Sequence, residues 1–244
     1  MSRRALILEE MGLGPVWRLR APASEAGIAI EDAPAITIAP DDSEERGIRI
    51  GRMDWPALKA AVAECRACTL CESRRNTVFG IGDERASWLI VGEAPGQEED
   101  AQGEPFVGQA GRLLDNMLAA IGLKRAEDVY IANVLKCRPP GNRNPAPEEV
   151  MQCSAHLRRQ IELIQPKLIL AMGRFAAQTL LDSGASISSM RGRKFSYQGV
   201  PLIVTYHPAY LLRTLTDKAK AWEDLCFARE LMKSLKEQGL QAAP

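Results

Sequence analysis

The chain has 244 residues, 46% of them hydrophobic, 25% charged and 5% aromatic, and its 31 lysines and arginines balance 31 aspartates and glutamates. That composition excludes a disordered or collagen-like chain and a histone-like polycation, so any nucleic-acid affinity has to come from local patches. No apolar run approaches the roughly 20 residues of a membrane span, and Met1-Ser2-Arg3-Arg4 leads into only Leu6-Ile7-Leu8, too little for a signal peptide, so a cytoplasmic location without membrane contact is expected.

In chain order, residues 3–20 have the apolar spacing of a short helix, interrupted by Gly12, Gly14 and Pro15. Residues 21–46, rich in Ala, Pro, Ser and acid without a period, read as a flexible linker. Residues 1–50 hold six basic and nine acidic side chains, which leaves a net +3 for the remainder. The chain therefore divides into an N-terminal extension over 1–50 and one folded domain over 51–244. Within that domain the runs 88–91, 129–132, 168–171 and 202–205 are apolar without polar alternation, the pattern of parallel strands covered on both faces. Helices are predicted over 54–66, 109–121, 146–164, 174–181 and 219–236. The alternation specifies an α/β fold, a three-layer α/β/α sandwich around a four-stranded, mostly parallel sheet.

Ligands in such sheets bind beyond the carboxyl ends of the strands. Those ends are Gly92-Glu93-Ala94-Pro95-Gly96, Asn133, Gly173-Arg174 and His207-Pro208-Ala209. The glycine-rich loop lacks the lysine and hydroxyl of a phosphate-binding P-loop, and Phe106, between Pro105 and Gly108, has the setting of a stacking platform. His207, placed before a proline at a strand end, reads as a ligand-facing imidazole; His156, beside Arg158 and Arg159, reads as part of a solvated helix face. Six cysteines stand at 65, 68, 71, 137, 153 and 226, and clustering in a reducing compartment favours metal chemistry. A two-residue gap lets two thiolates face one ion, so a pair from 65–71 with Cys137 and Cys153 suits tetrahedral zinc or a four-iron cluster, with Cys65 and Cys71 both open as the partner of Cys68. Cys226 reads as core. Six basic residues face one acid between Ser186 and Lys220, and Lys136, Arg138 and Arg143 add charge after the second strand, as in a groove that tracks phosphates.

Taken together, these residues resemble the iron–sulfur (family 4) uracil-DNA glycosylases of bacteria and archaea. The resemblance spans about residues 60–235 and rests on Cys65-x-x-Cys68, Arg74, Val78-Phe79-Gly80, Gly92-Glu93-Ala94-Pro95-Gly96-x-x-Glu99-Asp100 and Pro105-Phe106-Val107-Gly108. It continues through Asn133-x-x-Lys136-Cys137-Arg138-Pro139-Pro140, Cys153 and His207-Pro208-Ala209-Tyr210-Leu211-Leu212-Arg213. It implies a structural 4Fe-4S cluster on Cys65, Cys68, Cys137 and Cys153, with Cys71 a spare thiol. It implies a pocket for a flipped uracil in which Phe106 stacks, Asn133 reads the polar edge and Glu99 crowds C5. Gly92 adjoins that pocket, Glu93 and the Ala94 backbone handle the water and uracil O2, and His207 stabilises charge on O2. Uracil-containing DNA, single- or double-stranded, is the implied partner, and a monomer is expected. Arg138, Arg191 and Arg213 are the expected phosphate contacts, with Tyr210-Leu211-Leu212 as a wedge for the vacated stack. A related branch of the superfamily forms a covalent adduct through a histidine in a basic insertion; Arg112 stands here without such an insertion, so turnover is expected. The rival reading is a catalytically silent iron–sulfur or zinc DNA-binding module.

Overall fold

The computed structural model describes residues 42–241, so the helix expected over 3–20 and nearly all of the expected linker lie outside the described residues. Helix α1 (Asp42–Ile50) is followed by α2 (Trp55–Ala63), which Asp54 caps by accepting from Ala57 N at 3.0 Å, with Pro56 in the first turn. Then come α3 (Leu70–Ser73), β1 (Ile81–Gly82), β2 (Trp88–Gly92), α4 (Gln97–Gln102), α5 (Gln109–Ala120) and β3 (Val129–Asn133). Helix α6 (Pro147–Ile164) starts on a proline, and Glu149 reaches back to the Ala146 N–H at 2.8 Å. The remainder is β4 (Leu168–Met172), α7 (Arg174–Leu181), α8 (Ile187–Met190), β5 (Lys194–Tyr197), β6 (Val200–Thr205), α9 (Pro208–Leu211) and α10 (Lys218–Gln241).

The sheet has six strands in the order β1-β3-β2-β4-β6-β5, not four. The expected four form its parallel centre, and β1 and β5 add antiparallel edges. Both additions escape an apolar-run criterion, because β1 is two residues long and β5 alternates exposed and half-buried positions. Every residue of β2, β3 and β4 is buried, and the two faces have separate cores. Leu89, Val91, Tyr130 and Ile169 pack with Leu157 and Ile161 of α6 on one face. Trp88, Ile90, Ile131 and Leu170 pack with Leu114 and Leu118 of α5 and Leu225 of α10 on the other. These are the three layers expected.

The boundary expected at 51 moves toward the N-terminus, since residues 42–46, read as linker, begin α1. Ile50 is buried with Leu58 and Ala155, and Arg46 donates to the Gln152 carbonyl at 2.6 Å on α6.

Candidate active site

Four parallel strands ending on one edge bring their terminal residues to a single cleft of about 680 Å³. Glu93 and Ala94 after β2, Asn133 at the end of β3, Arg174 after β4 and His207 after β6 all line it, with Glu99 and Phe106 from the loop and helix that follow β2. Gly92 and Asn133 are register partners across β2 and β3. A β-carbon at Gly92 would fall 2.3 Å from Asn133 Oδ1 and 2.7 Å from Phe106 Cζ, so only glycine permits the amide and ring to meet there. Asn133 is buried, and its Oδ1 has no hydrogen-bond partner. A native buried polar atom is rarely left unpaired, so this oxygen is a candidate ligand contact.

The Phe106 and His207 rings stack with centroids 5.4 Å apart. His207 caps α9, its Nδ1 accepting from Ala209 N at 3.1 Å. A ring whose Nδ1 accepts carries its proton on Nε2, so the other side is a donor. Burial, followed by a raising pull from Glu99 and a lowering push from Arg213, leaves the His207 pKa at about 4. The imidazole is thus neutral at physiological pH. Burial likewise raises the Glu93 pKa, against the lowering effect of Arg174.

Glu99 accepts from Gly96 N at 3.0 Å, Val107 N at 3.1 Å and Gly108 N at 3.3 Å, latching the glycine-rich loop to the Phe106 loop. Asp100, buried beside it, accepts from Arg75 N at 2.9 Å. Both acids of this segment therefore organise loops, and Glu99 also lines the cleft.

Cys65, Cys68, Cys71, Cys137 and Cys153 line a second, small cavity with Arg74, Lys136 and His156. Arg74 Nη1 donates to Cys137 Sγ at 3.0 Å, Lys136 N to Cys153 Sγ at 3.3 Å and Arg46 Nη2 to Cys65 Sγ at 3.4 Å. Burial pushes the Cys153 thiol up to about 12, against the lowering effects of the Lys136 charge and its backbone N–H. Among the described residues no three His, Cys, Asp or Glu side chains converge as the ligands of one ion would.

His156 is 1% exposed, against the solvated face expected, because its side of α6 turns onto the cysteine cavity; its Nε2 lies 2.9 Å from Arg46 Nη2. Lys136 is also 1% exposed, and donates to the Asn133 carbonyl at 2.9 Å and Gln160 Oε1 at 2.6 Å, so it adds no surface charge. Leu211, 1% exposed, points from α9 into the core, and Leu212 next to it is 39% exposed. Tyr210 stacks on Tyr206 and donates to Asp217 at 2.5 Å. Arg191 is held by Asp224 at 2.7 Å and lies over the Tyr206 ring, a structural anchor rather than an exposed phosphate contact. Arg138 bonds Asn142 Oδ1 at 2.7 Å, whereas Arg174 and Arg213 are exposed along the cleft. Arg46 and Arg125 carried no local signal, because what each does depends on residues distant in the chain.

The fold and cleft define a doubly wound α/β protein with a pocket at its strand ends. The sequence matches the profile of the uracil DNA glycosylase superfamily over residues 79–226. It is 50% identical over 159 residues to the type-4 uracil-DNA glycosylase of Archaeoglobus fulgidus, covering 62% of this chain and 79% of that protein. Identity to the type-4 uracil-DNA glycosylase of Thermotoga maritima is 43% over 176 residues, 70% of this chain and 91% of the relative. For that of Sulfurisphaera tokodaii it is 42% over 183 residues, 71% and 83%. The chain belongs to the uracil DNA glycosylase superfamily, in its type-4 branch. No described helix is long and apolar enough to cross a membrane.

Proposed function

We propose that this chain is a monofunctional uracil-DNA glycosylase, a cytoplasmic monomer that hydrolyses the bond between deoxyribose and uracil and leaves an abasic site. The observation that carries the reading is Asn133 Oδ1, buried and unpartnered on the wall of the strand-end cleft beside the Phe106 ring. A base extruded from DNA supplies polar edge atoms to the amide and an aromatic face to Phe106. Thymine differs from uracil by a methyl at C5, which the loops latched by Glu99 would exclude.

Cleavage leaves both bonding electrons on the base and positive charge on the sugar, so stabilising the departing anion matters more than a strong nucleophile. The Nε2–H of neutral His207 donates to uracil O2 as negative charge gathers there, its tautomer set by the Ala209 N–H on Nδ1. Glu93 orients the water that attacks the sugar C1′ and takes up its proton. No lysine is among the described residues lining the cleft, which favours hydrolysis over imine chemistry and strand cleavage.

Cys65, Cys68, Cys137 and Cys153 would hold a 4Fe-4S cluster, which would supply a covalent brace joining the loops after α2 and β3 to α6. Their fit rests on a shared cavity and on donors aimed at three of the sulfurs. Arg138 and Arg213, with Arg174 at the rim, would meet phosphates.

The test is release of free base from a uracil-containing oligonucleotide beside a thymine control, with strands resolved before and after alkali. Alkali-labile sites in the uracil strand alone, lost in His207→Ala, are expected. DNA binding without base release from cluster-loaded protein would favour the silent binding module.

A further inference from the structure

We infer that Arg125, outside the cleft, is the positioning residue for the Phe106 ring, an inference that rests on the stacking role given to Phe106 above. Phe106 has a φ of 55°, in the left-handed region that bulky side chains rarely adopt and hold only when their surroundings impose it. Arg125, in the turn between α5 and β3, donates from Nη1 to the Pro105 carbonyl at 2.9 Å and from Nη2 to the Phe106 carbonyl at 2.8 Å. Its Nε donates to Asp115 Oδ1 at 2.9 Å, which fixes the plane of the guanidinium. The relative direction of two successive carbonyls is set by φ and ψ of the second residue. A rigid fork bonded to both therefore fixes the backbone angles of Phe106, and those angles aim its Cβ and ring.

The surroundings are built to this geometry. A β-carbon at Gly111 would lie 1.7 Å from the Phe106 carbonyl oxygen, so α5 can approach only as glycine. The next two N–H groups, of Val107 and Gly108, are held by Glu99. The ring is thereby pinned by its carbonyl side from behind the cleft and by the following amides from within it. Lysine at 125 would keep the charge and lose the fork.

The experiment compares Arg125→Lys and Arg125→Gln, each alone and on a Phe106→Ala background. It measures single-turnover uracil release at saturating enzyme, binding to a duplex carrying an abasic-site analogue, and thermal unfolding. Each Arg125 variant is expected to lower release by about 10- to 100-fold, the scale of a misplaced reacting group. Its affinity for the abasic duplex, which has no base to stack, should stay unchanged. On the Phe106→Ala background the same substitutions should change release by less than about threefold, since the ring they aim is gone. Should either variant unfold, Asp115→Ala removes the acceptor that fixes the guanidinium plane while keeping Arg125, and is expected to give a smaller loss with the same dependence on Phe106. Wild-type release from the Arg125 variants beside an impaired Phe106→Ala would overturn the clamp, as would equal losses on both backgrounds. Wild-type release from Phe106→Ala would instead overturn the stacking role itself, and the inference with it.

Discussion

Replacing Gly92 by alanine adds one methyl group where the Asn133 amide and the Phe106 ring meet. The new carbon would stand 2.3 Å from Asn133 Oδ1 and 2.7 Å from Phe106 Cζ, whereas ordinary contact begins at 3.4 Å. The amide has to retreat by about 1 Å and the ring by somewhat less. Both side chains are buried, Asn133 at 2% and Phe106 at 5% exposure, on backbone held by strand register and by the Arg125 hydrogen bonds, so neither can swing out to solvent. A displacement of about 1 Å at a reacting centre costs on the order of 100-fold in rate, and overpacking costs roughly 1–3 kcal/mol in stability. Gly92→Ala is therefore expected to fold, to melt about 2 to 12 °C lower, and to release uracil about 100-fold more slowly. Single-turnover release from a uracil oligonucleotide, run beside thermal unfolding and abasic-duplex binding, separates the two effects. Soluble Gly92→Ala protein releasing uracil within threefold of wild type would refute the argument that amide and ring act as a tight pair.

The anionic form of Glu93 is lost as pH falls through its raised pKa, so the acid limb of kcat/KM should lie above the ordinary carboxylate range, and Glu93→Gln should abolish that limb along with most activity. An unchanged limb in the variant would assign it elsewhere. His207 titrates near 4 in the folded protein and near 6.5 when unfolded, so the unfolded chain binds more protons between those values. Stability contributed by the neutral imidazole is therefore lost as pH falls from 6.5 toward 4, by up to about 1.4 kcal/mol per pH unit, and urea midpoints of His207→Gln should lack that slope. Cys137→Ser should yield protein without visible iron–sulfur absorbance and with a lower melting temperature; full iron content would remove Cys137 from the ligand set. Leu212→Ala should slow release from duplex DNA about tenfold and leave single strands untouched, because only a duplex has a vacated stack to fill; equal effects on both would dismiss the wedge.

The central strands were readable because burial on both faces demands unbroken apolar runs, as in Leu168-Ile169-Leu170-Ala171. Edge strands carry no such demand: Lys194-Phe195-Ser196-Tyr197 is half polar, and Ile81-Gly82 is too short to show a period. The same logic governs the site. Residues at strand ends, such as Asn133 and His207, could be placed because topology alone sends them to one edge. Residues whose meaning lies in a distant partner were misread. His156 precedes Arg158 and Arg159 and Lys136 is itself a cation two residues before Arg138, and only the packing of α6 over the loop after β3 turns them inward. Leu211 and Leu212 are chemically identical, and the direction of a four-residue helix decides which one meets solvent. Arg46 sat in text with no period at all, and its contacts to Gln152 and Cys65 span 106 and 19 residues.

The buried Lys136 links the cysteine cavity to the strand end that carries Asn133. Its ammonium holds the carbonyl of Asn133, its own N–H meets the Cys153 sulfur, and its carbonyl receives Val78 N at 2.7 Å. Asn133 and Cys137 are thus ends of one short rod, clamped at its middle. The other wall of the cleft, carrying Phe106, is gripped by the side chains of Arg125 and Glu99. For anyone reshaping the cleft toward a different base, the two walls differ as raw material. The Phe106 wall can be rebuilt by exchanging side chains that answer to one another. The Asn133 wall comes attached to its cysteines, so a new residue there has to be accommodated with the rod unmoved.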